Sequence, residues 1–293
     1  MQKTSKNNIS IVIVNYNSGK LLVECLKNIF TSEINQGIET IVIDNASNDN
    51  SLLNAEKIFA QVKYIKNNKN LGFSKAVNQG IKLASSDFIL LLNPDALVNL
   101  DNLLKMHNFL CSISNAGIVG PKLLNEDGSI QLSCRSFPTF VNAIFNRYSF
   151  FTRLFPKNRY SRKYLYTDWN HDHFRKVDWV SGACLLARKE ALEQIGLLDE
   201  DYFMYCEDID LCYRAKHANW DTYYYPEVSV KHLIRGGEKR ASLKSILDHH
   251  MSMYIFYKKN YNKGLFIRNL YSAIFLVMSF FCMVGYKKLM RAN

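Results

Sequence analysis

The sequence lacks the cysteine patterns that mark disulfide-rich and zinc-binding proteins. Its seven cysteines among 293 residues form an odd, scattered set without a C-x-x-C pair. Most of them lie inside apolar runs, which favours reduced thiols in a cytosolic protein over a disulfide framework or a zinc site. The N-terminal stretch has only a short apolar run and no small-residue cleavage site, so we expect no signal peptide.

The glycine-rich signatures of common nucleotide-binding proteins are also absent. The chain contains neither a P-loop nor a G-x-G-x-x-G motif, which removes support for an ATPase or an ordinary dinucleotide-binding protein. With 48% hydrophobic and 22% charged residues, it has enough apolar material for one large globular domain, alone or with an appendage.

The formal charge of +11 is unevenly distributed. Residues 135–176 hold nine Lys and Arg against two Asp and Glu, and residues 233–293 hold eleven against two. The rest of the chain is therefore net negative, which disfavours a uniformly cationic nucleic-acid-binding protein.

Two segments suggest contact with a membrane. Residues 137–176 interleave aromatic residues with Arg and Lys, a pattern that suits an anionic membrane surface better than the alternative, stacking on nucleic acid. Residues 269–286 contain no charged residue and have basic neighbours. A helix of that length is at the lower limit for spanning a bilayer, and lying on the membrane or packing on the globular domain are the alternatives.

The first hundred residues alternate strand-like and helix-like segments. Apolar, β-branched runs begin at Ile9, Glu39, Val62 and Phe88, and helix-length segments lie between them. Because the strands are apolar on both faces, we predict an α/β fold with a mostly parallel central sheet covered by helices. Ligands of such sheets bind at the carboxyl ends of the strands.

Polar side chains follow these predicted strands. Tyr16 follows the first strand, Asp44 ends the second, and Asn93 and Asp95 follow the fourth. Tyr16 is placed to stack on a base and Asp44 to accept a hydrogen bond from a base or ribose, although turn formation and helix capping explain each residue equally well. A carboxylate after the stiff residue Pro94 is placed to hold Mg²⁺ or Mn²⁺ against a diphosphate.

The second half of the chain contains the candidate general base. The strand-like run "SGACLLAR" begins with small residues, and Gly182 and Ala183 leave room for a sugar or an acceptor. Glu207, Asp208 and Asp210 crowd the start of a predicted helix after an aromatic-rich turn. The helix dipole explains one or two acids at such a position, whereas three suggest a general base held in a cleft.

These motifs resemble the inverting glycosyltransferases of family 2, which have the A-type nucleotide-sugar fold, and within them the rhamnosyltransferase-like branch. The resemblance spans about residues 9–235 and rests on "VNYNS", "IDNAS", "NLGFSKAVNQG", "LLNPDA", "VSGACLLAR", "LLDEDYFMYCEDIDLCYRA" and "YPEVSVKH". Its most specific part is "NPD" followed about 110 residues later by "YCEDIDLCYR".

The resemblance implies a division of the chain. We expect a catalytic domain over residues 1–235, with a nucleotide-binding half at about 9–125 and an acceptor-side half at about 126–235 that includes the insertion 137–176. A basic, helical membrane-association segment is expected over residues 236–293, with a hydrophobic C-terminal helix.

The resemblance also implies roles for individual residues. Asp95 matches the last acid of the family's D-x-D motif and would bind the metal, while Asn93 replaces the first acid. His232 matches a histidine that completes the metal site in some members, and Asp208 matches the catalytic base. The remaining implied contacts are Tyr16, Asp44, Asn78 and Asn93 with the nucleotide, and Gly182, Ala183 and Glu207 with the sugar or acceptor.

The implied reaction is a single displacement at the anomeric carbon of a nucleotide-activated sugar. Asp208, with an ordinary pKa, would take the acceptor's proton, and Mg²⁺ or Mn²⁺ would neutralise the leaving diphosphate. The branch suggests L-rhamnose or another deoxyhexose and a lipid-linked glycan acceptor, at the cytoplasmic face of the plasma membrane, with no nucleic-acid partner. A nucleotidyltransferase and a non-catalytic nucleotide-sugar-binding partner of a membrane complex are the alternatives.

Overall fold

The computed structural model describes residues 8–31, 37–139, 158–233 and 243–261, together with Val277. In chain order, the elements are β1 (Ile9–Asn15), α1 (Leu21–Ile29), β2 (Ile38–Asp44), α2 (Ser51–Ile58), β3 (Lys63–Lys66), α3 (Phe73–Leu83), β4 (Phe88–Leu92), β5 (Ala96–Leu97), α4 (Leu100–Ser112), β6 (Ala116–Leu124), β7 (Ile130–Gln131), β8 (Cys134–Arg135), α5 (Arg159–Leu165), β9 (Arg175–Val177), β10 (Trp179–Val180), β11 (Cys184–Arg188), α6 (Lys189–Ile195), α7 (Glu207–His217), β12 (Asp221–His232) and α8 (Leu243–Asn260).

Most of the strands form one large sheet. Its order is β3-β2-β1-β4-β11-β6-β12-β5, with β7 beside β6 and β9 beside β12. Strands β8 and β10 form a separate two-stranded sheet. The large sheet therefore combines strands from the predicted nucleotide-binding half and the predicted acceptor-side half.

The alternating side chains of β1 explain why helices cover both faces of the sheet. Ile11 and Ile13 belong to the apolar core that includes residues of α1. Val12 and Val14 belong to the core that includes residues of α3. Both sets are buried, as expected for a strand that is apolar at every position.

The sheet is mixed rather than mostly parallel: in the second half of the chain β12 pairs in parallel with β6, but β11 does not follow the predicted direction. Strands β1, β2, β3 and β4 pair in parallel, whereas β11 runs antiparallel to both β4 and β6. The apolar run of β11 predicts a strand buried on both faces, but such a run has the same composition in either direction. The architecture is a mixed α/β sheet.

Helix α8, beyond the predicted domain boundary at residue 235, packs against the loop that precedes α7. Phe256 is fully buried, and the Ser252 hydroxyl donates to the backbone oxygen of Met204 at 2.7 Å. The Lys259 ammonium lies 2.6 Å from Asp201. This part of the C-terminal region therefore supports the segment that leads to Asp208.

Two predicted segments fall partly or wholly outside this description. Apart from Val277, the charge-free segment 269–286 lies outside the described residues, as does the 140–157 part of the insertion. Among the helices that the structure does describe, none has the combined length and apolar character needed to cross a bilayer.

Gly80 allows α3 to approach β1 closely. A Cβ atom built at Gly80 would lie 2.3 Å from Cγ1 of Val12, well inside van der Waals contact. Glycine costs about 0.5–1 kcal/mol relative to alanine in a helix interior. The close helix–sheet contact offsets that cost, because α3 carries the buried residues Val77 and Ile81 against the sheet.

We expect Gly80→Ala to lower the free energy of unfolding by about 1–3 kcal/mol, since the added methyl group overpacks the interface with Val12. Chemical denaturation checks this. Val12→Ala removes the clashing methyl groups, so the double variant should lose less stability than the sum of the two single variants. Additive losses, or a stabilised Gly80→Ala protein, would contradict the proposed contact.

Candidate active site

A buried polar network closes the carboxyl ends of β1 and β2. The side-chain amide of Asn15 donates to Asp44 Oδ1 at 2.7 Å and to Ser51 Oγ at 2.9 Å. Asp44 Oδ2 accepts from the backbone N–H of Ser47 at 3.1 Å. Both carboxylate oxygens therefore have protein partners that fix their direction at the strand end. The contact of Asp44 with a nucleotide stays a prediction.

Tyr16 lies directly after this network, at the end of β1. It is 48% exposed, whereas the preceding Asn15 is fully buried. An exposed aromatic face beside a fixed polar group is suited to stacking on a planar ligand. The geometry is compatible with the predicted base contact, which stays a prediction.

The side chain of Asn78 is buried and forms hydrogen bonds to other parts of the protein. Its amide nitrogen donates to the backbone oxygen of Leu198 at 2.9 Å and to Glu200 Oε1 at 3.1 Å, and its oxygen accepts from the Leu198 N–H at 3.1 Å. The residue is only 3% exposed. The amide thus joins α3 to the segment after α6, and the nucleotide contact of Asn78 stays a prediction. A structural contact of this kind gives no local sequence signal, because its partners are about 120 positions away.

Asp95 and His232 meet at the edge of the sheet. Asp95 follows β4, and His232 ends β12, where it pairs in register with Ala96. His232 Nε2 lies 3.2 Å from Asp95 Oδ1, an oxygen shielded from solvent that has no other partner in the described ranges. Within those ranges, no cluster of three or more His, Cys, Asp or Glu side chains could hold a metal ion. Among the described residues, the side chains at this edge therefore provide two candidate metal ligands, Asp95 and His232.

Gln131 fixes the orientation of His232. Its Oε1 lies 2.9 Å from His232 Nδ1, and its amide nitrogen donates to the His232 backbone oxygen at 2.9 Å. Because the amide oxygen only accepts, Nδ1 carries a proton in this bond. The Nε2 atom then faces the Asp95 carboxylate, and either a proton or a metal cation shared by the two atoms satisfies both of them.

Asp208 lies in the first turn of α7 and is held by backbone N–H groups. Its Oδ2 accepts from Gly182 at 3.0 Å, and its Oδ1 accepts from Ile209 at 2.8 Å. A Cβ atom at Gly182 would lie 3.4 Å from the Asp208 Cβ, at the edge of ordinary van der Waals contact. The backbone at Gly182 therefore packs directly against the Asp208 side chain.

The backbone before α7 is strained. Tyr205 and Cys206 adopt positive φ angles of 70° and 63°, in the left-handed region that favours glycine. Such conformations cost about 1–3 kcal/mol each and persist where the surroundings hold them. The Ser252 contact with Met204, described above, braces this turn. The strained turn sets the position of Glu207 and Asp208.

Burial changes the acidity of both carboxyl groups. It raises the pKa of Asp208, against the opposing effects of the Gly182 and Ile209 N–H groups and of the Arg135 charge. Burial also raises the pKa of Glu207, and the charge of Asp208 raises it further. Glu207 is 8% exposed, and its Oε2 has no hydrogen-bond partner among the described residues. The expected ordinary pKa of Asp208 is thus corrected upward.

One dipeptide connects the turn that contains Asp95 with Asp208. The Ala183 backbone oxygen accepts from the Asn93 N–H at 2.9 Å, and the adjacent Gly182 N–H donates to Asp208. Ala183 is 4% exposed. The start of β11 therefore contacts both the predicted base and the turn that contains the predicted metal ligand. A direct acceptor contact of Gly182 or Ala183 stays a prediction.

Sequence reasoning missed two residues near this site. Gln131 lies 101 positions from His232, and only the folded sheet brings the two together. Arg135, one residue of the basic middle segment, places its guanidinium carbon 5.4 Å from the Trp179 ring centroid and 5.9 Å from that of Tyr164. The basic composition was visible in the sequence, whereas the location of this particular charge was not.

Comparison with known proteins identifies the family. The model of the family described as "Glycosyl transferase family 2" matches residues 10–196. An N-acetylglucosaminyl-diphospho-decaprenol L-rhamnosyltransferase of Mycobacterium tuberculosis is 28% identical over 85% of this chain and 83% of its own length. A low-salt glycan biosynthesis hexosyltransferase of Haloferax volcanii is 30% identical over 75% of this chain and 65% of its own length. A rhamnosyltransferase of Escherichia coli is 31% identical over 53% and 56%.

Two solved structures share the fold. GalNAc-T7 with UDP, GalNAc and Mn²⁺ has a TM-score of 0.62 at 14% identity, over 89% of this chain and 52% of that one. A mannosyltransferase of Pyrobaculum calidifontis in complex with GDP-Man and Mn²⁺ has a TM-score of 0.59 at 16% identity, over 98% and 76%. The likeness confirms an A-type glycosyltransferase-like fold, and the family match over more than half of the sequence shows that the chain belongs to glycosyl transferase family 2.

Proposed function

We propose that this protein transfers a sugar, with inversion, from a nucleoside-diphosphate sugar to a hydroxyl of a lipid-linked glycan in cell-surface polysaccharide biosynthesis. The observation that carries the proposal is the pair of contacts at the start of β11. Gly182 holds the Asp208 carboxylate, and Ala183 holds the turn that contains Asp95. A candidate base and a candidate diphosphate-side group are therefore fixed by the same strand.

The relatives support the proposed substrates. The Mycobacterium tuberculosis relative is named for L-rhamnose transfer and for a diphospholipid-linked sugar, and the Escherichia coli relative is named a rhamnosyltransferase. L-Rhamnose or another deoxyhexose is accordingly the proposed donor sugar. A protein that uses a lipid-linked acceptor is expected to associate peripherally with the cytoplasmic face of the membrane. The basic residues of segments 135–176 and 233–293 would favour binding to anionic lipids there.

In the proposed mechanism, Asp208 accepts the proton of the attacking hydroxyl. The N–H groups of Gly182 and Ile209 hold its two oxygens, so the carboxylate is oriented before the acceptor arrives. A single attack on the face opposite the departing nucleoside diphosphate inverts the anomeric carbon. Glu207 is buried beside the base, and burial together with the Asp208 charge raises its pKa.

Asp95 and His232 fit a divalent cation. The carboxylate oxygen is shielded, the imidazole Nε2 lies opposite it at 3.2 Å, and hard oxygen and imidazole nitrogen suit Mn²⁺ or Mg²⁺. Such a cation, when bound, supplies positive charge against the leaving diphosphate. With only two protein ligands, the remaining positions would be filled by diphosphate oxygens and water, and Gln131 would keep His232 aligned.

The first test is nucleoside diphosphate release from a panel of nucleotide sugars, with Mn²⁺ or Mg²⁺ and a lipid-linked acceptor. We expect Asp208→Asn to lower turnover by about 10²–10⁴-fold, because the positioned base is lost. Asp95→Ala should abolish the part of the turnover that depends on the added metal ion. Asp101→Asn, on the exposed first turn of α4, is the control and should behave like wild type. The proposed function would be wrong if all variants had equal turnover, or if the wild-type protein turned over none of the donors.

A second test concerns His232 and its support. We expect Gln131→Leu to weaken Mn²⁺ binding in the presence of nucleoside diphosphate by about 10–100-fold, since the imidazole loses its Nδ1 partner. Gln131→Glu keeps an acceptor for Nδ1 and should retain much of the affinity, whereas His232→Ala should lose it. Isothermal titration calorimetry measures binding without turnover, and thermal unfolding shows whether each variant folds. Unchanged Mn²⁺ affinity in His232→Ala would disprove the ligand assignment.

A third test follows from the raised pKa of Asp208. Only the deprotonated carboxylate accepts a proton, so kcat/KM should rise with pH through that pKa, above the ordinary aspartate value of about 3.9. Burial and the charge of Asp208 raise the pKa of Glu207 to about 8, so Glu207 stays protonated while Asp208 titrates. Glu207→Gln keeps a neutral group at this position, and the acidic limb of its pH–rate profile should therefore stay in place. A limb that moves would show that Glu207 is charged when Asp208 titrates.

A further inference from the structure

We propose that Arg135 binds a phosphate group of the acceptor and so selects acceptors whose first sugar is attached to a lipid through a diphosphate. The inference rests on the proposed transferase function. It assigns an anion-binding position to the site, separate from the proposed cation-binding pair Asp95 and His232 at the edge of the large sheet.

The small sheet places Arg135 near the base. Arg135 pairs with Trp179 in the β8–β10 ladder, and Cys134 pairs with Val180. The ladder continues through the Ser181 N–H, which donates to the Ser133 oxygen at 2.8 Å. The next residue, Gly182, holds Asp208. Arg135 lies opposite Trp179, and Gly182 follows Trp179 by three residues of extended chain, roughly 10 Å. An acceptor sugar and its phosphate fit this span.

The guanidinium of Arg135 has no carboxylate within ion-pair distance among the described residues, while its charge acts on Asp208 and its side chain bonds the Tyr164 hydroxyl. None of the ion pairs found among the described residues includes Arg135. Its Nε atom is shielded from solvent and has no hydrogen-bond partner there. Buried donors are nearly always paired, so this one calls for an explanation. The rings of Tyr164 and Trp179 instead hold the guanidinium by cation–π contact.

An anionic ligand fits this arrangement better than a neutral sugar. Arginine has donors only, in a planar fork that matches phosphate oxygens, while sugar hydroxyls need both donors and acceptors. The donor's diphosphate is already assigned to Asp95 and His232. The phosphate next to the acceptor sugar is the anion that remains on the Asp208 side of the site. Burial raises the pKa of Asp208, and the Arg135 charge opposes that rise, which is consistent with their proximity.

The experiment compares two acceptors that differ only in the phosphate. One is the acceptor sugar as an alkyl diphosphate, and the other is the same sugar as a neutral alkyl glycoside. We expect Arg135→Gln to lower kcat/KM for the diphosphate acceptor by about 10–100-fold, the effect of losing a charged hydrogen bond. Its donor KM should stay near wild type, and its kcat/KM for the neutral glycoside should fall much less than that for the diphosphate acceptor. Arg135→Lys should recover part of the loss.

Arg175 offers a matched control. It lies on β9, with its guanidinium carbon 4.9 Å from the Tyr166 ring centroid and 5.2 Å from that of Trp169. Arg175 therefore also lies between two aromatic rings, but it is not part of the β8–β10 ladder that leads to Gly182. Arg175→Gln should leave the preference for the diphosphate acceptor unchanged. Thermal unfolding of both variants separates a binding defect from a folding defect.

Calorimetric binding of the alkyl diphosphate acceptor, without donor, keeps the test independent of turnover. Weaker binding in Arg135→Gln supports the proposal even if the correct donor sugar is missing from the panel. Equal losses with both acceptors, or a raised donor KM with an unchanged acceptor preference, would overturn it and assign Arg135 to the donor or to folding. Failure of the transferase proposal itself shows instead as absent donor turnover in wild type.

Discussion

The site depends on the short stretch of backbone at the start of β11. Gly182 donates its N–H to Asp208, and the carbonyl of the next residue accepts from Asn93 in the turn that contains Asp95. Opposite ends of one dipeptide therefore fix two groups that lie more than a hundred positions apart in sequence. The arrangement works because β11 is buried between β4 and β6, where its ladder leaves little freedom. Backbone groups also contribute no titratable charge.

The segment that carries Glu207 and Asp208 contains features that destabilise the fold. Two left-handed residues, Tyr205 and Cys206, precede the acids, and both carboxyl groups lose hydration by burial. Each of these features costs stability, and α8 offsets part of the cost through its contact with Met204 and its ion pairs to the preceding loop. A helix beyond the predicted catalytic boundary thus contributes to the geometry around Asp208.

The sequence predicted the features that depend on local pattern. Alternation of apolar runs indicated the α/β class, and polar residues after strands indicated the edge where Asp95 and His232 meet. The direction of β11 was not predictable, because a strand buried on both faces gives the same apolar run in either orientation. Asn78 was assigned to the nucleotide for its position in a motif, while its buried amide bonds Leu198. Gln131 depends on a pairing that only the completed sheet creates.

The interleaving of strands also limits how the protein can move. Because β11 comes from the second half of the chain and lies between β4 and β6 of the first, the two halves share one continuous ladder. A hinge that opened a cleft between them would break backbone hydrogen bonds in the centre of the sheet, which costs more than a domain closure can recover. Substrate entry and product release must therefore rely on loops and side chains at the carboxyl edge, while the two halves stay fixed relative to each other.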